Sequence, residues 1–435
     1  MGAARKARRF IPMHDHPVLG QVALGYCPMI DRQRAVVATR ITVFPGRPDA
    51  TPDAGALIGA ICEVFPDPGL ELSLTLREID PAAKGAAAPS AAGGASRVCL
   101  NIAGERLLQA VMAATPPPNV MIEVPAFLAA QPSMAATLEA LHAAGRTMML
   151  SGRPLVALPR DLLSCFSLAI VDLAQQRSDP TPPPGGSSIG SVQSGVRTMA
   201  DLDAAFQRGA VAVLGWPIDD ALPPPKGRPT VPPDLQVIME LISGVDRELP
   251  VDRLEGILKR DPTLAFRLMR YINSPAFGLS VEINSFGHAL MLLGHQRLKR
   301  WLALLLASAS KDASMRPVMF AAVRRGLLME ELVRSSGDAE LRGEMFICGV
   351  FSLLDRMLRQ PFEGLLESVP VPERVAQALL GQGGPFLPYL DLVRAIESSS
   401  LFDIREHADR LLLGTADVNR AVLAALHAAR QLEAS

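Results

Sequence analysis

The apolar positions of this chain follow two regimes. In the first half, short β-type runs alternate with helical patterns. Val22 to Tyr26 and Ala35 to Phe44 flank a polar turn at Asp31 to Arg34 and predict a strand pair. A helical pattern at Asp53 to Val64 follows, and the alternation of LELSLTLREI, Leu70 to Ile79, fits another strand. Pro81 to Ser96, PAAKGAAAPSAAGGAS, is low in complexity and suits a flexible surface insertion without core. Beyond it, strands are predicted at Val98 to Ile102, Val120 to Val124, Thr147 to Leu150 and Leu168 to Leu173. Helices fall at Glu105 to Ala114 and Met134 to Ala144. Ser178 to Gly190 reads as a loop, Met199 to Gly209 as a helix and Ala210 to Gly215 as a last short strand. Repeated strand–helix units imply a parallel sheet with helices outside, and the pattern leaves open whether it is an open sheet or a barrel.

From Trp216 the regime changes. WPIDDALPPPKGRPTVPPD is Pro-rich and predicts a stiff linker that spaces the two halves apart without freeing them wholly. After it every pattern is helical: Asp234 to Ile242, Val251 to Lys259, Met315 to Arg334, Leu341 to Arg359, Val371 to Gly381, Tyr389 to Glu397, Asp403 to Leu412 and Asp417 to Leu432. The best-punctuated stretch is Asp261 to Gly294. Asp261 is suited to cap a helix and Pro262 to occupy its first position. Leu264, Leu268, Tyr271 and Ile272 form one apolar stripe. Ser274, before Pro275, is disfavoured in a helix, so the helix should close near Asn273 and turn through Pro275 and Gly278. A second helix runs from Ser285 to Gly294, and a third follows at once with Leu298, Trp301, Leu302 and Leu305 on its apolar face.

Composition sets the bounds. A chain of 435 residues is long for a single core and suggests two domains or three. With 49% apolar residues and a formal net charge of −1, it is neither a disordered chain nor a strongly basic nucleic-acid binder, and no nucleic-acid partner is expected. Five scattered cysteines without a CxxC pair suggest reduced thiols in a cytoplasmic protein, with neither disulfides nor a zinc site. The basic N-terminus, MGAARKARRF, lacks the apolar run of a signal peptide and reads as a loose tail. Lys6 stands where a myristoylation signal needs Ser or Thr. The apolar run from Trp301 to Ala307 is far shorter than the ~20 residues that cross a bilayer, so no membrane span is expected.

Catalytic signals are thin. No Walker A loop, GxSxG elbow or HExxH helix is present. His288 and His295 are separated by Gly294 and read as ordinary polar or core residues, and His14 and His16 as a tail pair without second-shell support. Gly381, Gly383 and Gly384 read as helix punctuation and not as a phosphate loop. Arg267, Arg270, Arg297, Lys299 and Arg300 suit solvated helix faces, or a rim for an acidic partner.

Two resemblances add to this reading. DP at 261–262, LMRYINSPAFG at 268–278 and INSFGHALMLLG at 283–294 resemble the HDOD domain, a helical relative of the HD phosphohydrolases. The HDOD motif residues are then Asp261, Pro262, Asn273, Ser274, Pro275 and Gly294. HD enzymes hold metal with a His-Asp pair; in EMFICGVFSLLDRML, Ser352 and Leu353 stand in its place and Asp355 is displaced from it. Residues 18–217 resemble a degenerate EAL domain, the TIM-barrel-like module whose active members hydrolyse cyclic di-GMP with two metal ions. Arg40, in YCPMIDRQRAVVATRITVF, stands where the signature glutamate would be, replacing a metal ligand by a fixed positive charge. Asn101 in VCLNI and Glu123 in MIEVP match retained ligand positions. Ser151 and Gly152 occupy the place of paired aspartates. Ser194 and Arg197 replace acidic residues, Leu214 precedes Gly215 where Gln is usual, and Val171 and Asp172 lie in the strand that should carry a lysine.

The resemblances imply a multidomain α/β plus all-α protein: a tail at 1–17, an EAL-like barrel at 18–217, a linker at 218–233 and an all-helical HDOD domain at 234–435. They imply a non-enzymatic bacterial regulator without cofactors or bound metal, whose HDOD half serves as an interaction scaffold for other signalling proteins. The alternatives are a cyclic di-GMP receptor that binds without hydrolysis and, last, a residual metal-dependent phosphodiesterase.

Overall fold

The structure is a computed structural model and describes residues 16–47, 51–66, 97–154, 157–179, 189–222, 233–261, 264, 268, 286–308, 313–366 and 371–433. The strand expected at 70–79 and the insertion at 81–96 lie outside them.

Eight strands close into a barrel in chain order: β1 Val22–Asp31, β2 Val36–Pro45, β3 Val98–Ile102, β4 Val120–Pro125, β5 Met148–Ser151, β6 Leu168–Asp172, β7 Gly190–Val196 and β8 Ala212–Gly215. The choice left open by the pattern is thus settled as a barrel. β2 through β8 are parallel to one another, and β1 alone runs antiparallel to both its neighbours. β7 was not foreseen, because GSVQSGV has few β-branched residues and no clean alternation. Its Gln193 is buried and donates from Nε2 to the Val171 carbonyl at 2.7 Å, a bond that helps hold the strand in place.

Helices α1 Ala54–Val64, α2 Glu105–Ala113, α3 Ala135–Ala143, α4 Leu173–Ser178 and α5 Met199–Gln207 accompany the barrel. Their starts are chemically marked: Asp53, Asp172 and Thr198 accept backbone N–H bonds as N-caps of α1, α4 and α5.

The second half is helical: α6 Pro233–Asp246, α7 Val251–Leu258, α8 Phe286–Ser308, α9 Arg316–Leu332, α10 Ala339–Phe351, α11 Leu354–Leu358, α12 Glu373–Leu379, α13 Leu387–Ser398, α14 Leu401–Arg410 and α15 Thr415–Glu433. The single helix predicted at 341–359 is two, because the chain leaves the helix around Ser352 and Leu353. Asp261 Oδ1 accepts from the Leu264 N–H at 3.0 Å, the capping bond its position predicts, and Leu264 and Leu268 are buried. Gly294 breaks α8 with φ 65° and ψ 168°, at the junction where two helices were expected to meet. Pro262, Asn273, Ser274 and Pro275 lie outside the described residues.

One expectation is corrected: the halves are not spaced apart. β1 pairs with β8 over only Met29–Asp31, so its first seven residues present an edge that β8 does not cover. The helical half covers it. Asn419 of α15, 1% exposed, donates to the carbonyls of Leu19 and Val22 at 2.7 and 2.6 Å and accepts from the Leu24 N–H at 3.0 Å. Trp216 Nε1 donates to the Tyr26 carbonyl at 3.3 Å. The Trp216 ring meets Tyr26 edge-on at 5.7 Å and Phe320 of α9 at 6.1 Å, tying barrel to helices. A Cβ on Gly25 would lie 2.5 Å from Ser399 Oγ, so only glycine allows this approach. One large hydrophobic cluster runs through both halves, and a smaller one lies around Ile30, Val196 and Leu202. His16 and Pro17, assigned to the tail, belong to this assembly: His16 Nε2 lies 3.0 Å from Glu63 Oε1 of α1, and Pro17 starts a short 3₁₀ turn.

Candidate functional site

Strand register builds the barrel site. Cys27 on β1 faces Arg40 on β2, and Arg40 faces Cys99 on β3. Glu123 on β4 reaches the same cluster. The Arg40 guanidinium holds it with two parallel bonds, Nε to Oε1 and Nη2 to Oε2, both 2.6 Å. The Cys99 thiol donates to Glu123 Oε1 at 3.0 Å and lies 3.4 Å from Met149 Sδ. Glu123 is 1% exposed and Arg40 19%.

Burial pulls the Arg40 guanidinium down, and the charge and hydrogen bonds of Glu123 more than reverse it, so the cation is held firmly. Burial pushes the Cys27 thiol up to about 11, with Arg40 opposing, and pushes Cys99 well above the usual thiol value, reinforced by Glu123. Both are protonated at neutral pH and are poor nucleophiles.

The other motif positions disperse around this pair. Asn101 is half-buried on β3, in register with Thr42, two residues along the strand from Cys99. Ser151 closes β5, and Gly152 follows with φ 80° and open space where a Cβ would stand. Ser194 on β7 donates to Asp172 Oδ2 at 3.3 Å. Arg197 faces outward to Asp219 Oδ2 at 2.7 Å. The structure therefore brings together Arg40 and Glu123, and separately Ser194 and Asp172.

The EAL family implies divalent metal here, and the donor set does not fit it. Both oxygens of Glu123 are engaged by Arg40, and the side chains beside them are protonated thiols and a thioether, not the oxygens that Mg²⁺ or Mn²⁺ prefer. Among the described residues, no three His, Cys, Asp or Glu side chains are arranged to hold a metal ion.

A second pair lies in the helices. Arg325 of α9 donates to Glu397 of α13 from Nε at 2.9 and 3.1 Å and from Nη2 at 2.8 Å. Its Nη1 donates to Ser352 Oγ at 3.1 Å, and the Ser352 hydroxyl donates in turn to the Gly349 carbonyl at 2.7 Å. Ser352 is the residue standing where the HD pair would begin. α9 and α10 touch at Gly349, where a Cβ would meet the Arg325 carbonyl carbon at 2.5 Å. Tyr26 of the barrel lies against this pair. Its hydroxyl is pushed far up, first by burial and then by Glu397.

Sequence reading passed over Arg325, Glu397, Asn419 and the two barrel cysteines. A signal existed for the first: Arg324 and Arg325 interrupt an otherwise apolar helical pattern, VMFAAVRRGLLM. Asn419 carried none, since its partners are backbone atoms nearly 400 residues away. Of the basic rim, Arg300 is paired with Glu330 at 2.8 Å, and Arg297 is exposed.

The strands carrying Arg40, Asn101, Glu123, Ser151 and Ser194 belong to one closed eight-stranded barrel, TIM-barrel-like in outline. Residues 229–357 match the HDOD domain. The chain thus joins a closed barrel to a segment that matches the HDOD domain. The Bacillus subtilis (strain 168) "Uncharacterized protein YuxH" is 32% identical over 165 residues, 37% of this chain and 40% of that protein. The cyclic di-GMP phosphodiesterase CdgJ of Vibrio cholerae is 27% identical over 196 residues, 45% of each. Each match spans less than half the length of the curated relative. A solved structure, the PaMucR phosphodiesterase in complex with c-di-GMP, covers 47% of this chain and 93% of its own, at 14% identity and a TM-score of 0.29. Among the described residues no helix is long and apolar enough to cross a membrane.

Proposed function

We propose that this protein is a non-catalytic signalling regulator in which the barrel has exchanged metal for a built-in cation and the HDOD half presents a surface to other signalling proteins. The Arg40–Glu123 pair carries this reading. Phosphodiester hydrolysis by two metal ions needs several oxygen ligands and a metal-activated water. Here the one buried carboxylate of the centre is neutralised by a guanidinium that cannot be deprotonated at any physiological pH. No other group of the centre is set up as a base, because both thiols are held protonated.

A second reading is a cyclic di-GMP receptor that binds without cleaving. The similarity to a protein named as a cyclic di-GMP phosphodiesterase supports it, together with the half-buried Asn101 above the pair.

One experiment addresses both. Cyclic di-GMP is incubated with the full chain and Mn²⁺ or Mg²⁺, products are followed by chromatography, and binding is followed by calorimetry. No linear dinucleotide is expected. Heat without product assigns the receptor role. Metal-dependent product that vanishes in Glu123→Ala overturns the non-catalytic reading.

A further inference from the structure

The barrel is incomplete without the helices, and the missing piece lies one residue from its centre. β8 covers β1 only at Met29–Asp31, and outward from there Val22, Leu24 and Tyr26 direct backbone groups away from β2. Buried backbone groups need partners, and an uncovered strand edge frays. Asn419 satisfies two such groups, together with the Leu19 carbonyl in the turn before β1, and Trp216 satisfies a third edge group. Side-chain alternation does the rest: Tyr26 points away from Arg40 with its ring 5.7 Å from Trp216, and α13, which carries Glu397, packs on β1, while Cys27 points to Arg40. A single strand separates the two charge pairs. Asn419 also lines a groove of about 490 Å³ with Gly46, Arg47, Arg405 and Thr415, so solvent reaches the edge of this joint.

We infer that Asn419 is a latch holding β1 in the barrel, through which displacement of helix α15 opens the barrel wall beside the Arg40–Glu123 pair. The latch gives a partner of the helical half a mechanical route to the barrel centre. It does not depend on whether the centre binds a nucleotide or has lost catalysis.

The test uses the protein's own cysteines in the full chain. Cys27 lies behind the latch, and Cys348 lies in the core of the helical half; both are buried. Labelling with a thiol reagent under native conditions is resolved by mass spectrometry for the wild type and Asn419→Ala. A latch predicts that Cys27 reacts about tenfold faster in the variant, as for a local opening, while Cys348 keeps its wild-type rate. Equal acceleration of both thiols would mean global loosening and would overturn the latch, as would no change in either. Trp216→Phe removes the donor to the Tyr26 carbonyl and keeps an aromatic ring against Tyr26 and Phe320. It should accelerate Cys27 alone and by less, and it decides the matter if Asn419→Ala does not accumulate folded. In Trp216→Phe, an unchanged Cys27 rate overturns the inference.

Discussion

Both halves of this molecule contain a buried arginine–glutamate pair, yet the two pairs differ in how they are enclosed. Arg40–Glu123 lies in a barrel, with one bidentate contact, a thiol neighbour and 19% exposure on the arginine. Arg325–Glu397 is 6% and 5% exposed, carries three short contacts and is braced by Ser352. The barrel pair still borders a space that water reaches. The helical pair is sealed where α9 and α13 meet, with β1 packed on α13. The same residue pair thus has two structural settings: a plug in a pocket and a structural bolt.

The comparison is broken most forcefully at the bolt. Glu397→Ala leaves Arg325 charged, buried and unpaired, and should cost about 3–5 kcal/mol in denaturant unfolding. The double change Arg325→Met with Glu397→Leu removes both charges and should recover most of that loss. If the double variant is as unstable as the single one, packing and not charge pairing accounts for the site.

At the plug the same experiment should give a smaller number. Arg40→Met leaves Glu123 without its cation, but the Cys99 thiol still donates to it, and the opening left by the arginine admits water. A loss of about 2–3 kcal/mol is expected, below that at Glu397 because solvent screens a partly exposed charge. Adding Glu123→Gln should restore most of it. Equal losses at the two sites would erase the distinction between plug and bolt.

The sequence revealed a good part of this architecture and little of its joints. Strand and helix order was legible because β-type runs and 3.6-residue stripes are local, and so was the cap at Asp261. The substitution at Arg40 was visible as a fixed positive charge; its partner, Glu123, lies 83 residues away and is set by the fold. β7 was hidden because Gly, Ser and Gln do not look like a strand. The Pro-rich segment suggested separation because linker composition reports local stiffness. The seam that overrides it is made by Gly25, Ser399 and Asn419, whose meeting is a property of tertiary packing alone.

Neither arginine pair can be switched by physiological pH, since guanidinium does not titrate there. The seam contains a group that does. His427 of α15 is pushed below the usual imidazole value, first by burial and then by Arg430, against an opposing pull from Glu63 of α1. Gln431 Nε2 lies 2.8 Å from its Nε2. In the unfolded chain this imidazole takes its proton near pH ~6.5, and in the fold it does so lower. Above that value both states are neutral and the stability is complete. As pH falls below it the unfolded chain gains protons first, and stability declines until the folded imidazole is also charged. His427→Gln should therefore flatten the drop in melting temperature between about pH 7 and pH 5 while leaving the value at pH 8 unchanged. Because the ring is half-exposed, the effect is the smallest of the set. A wild-type profile already flat over that range would remove the seam from any acid response, and the bolt and the plug would then be equally indifferent to pH.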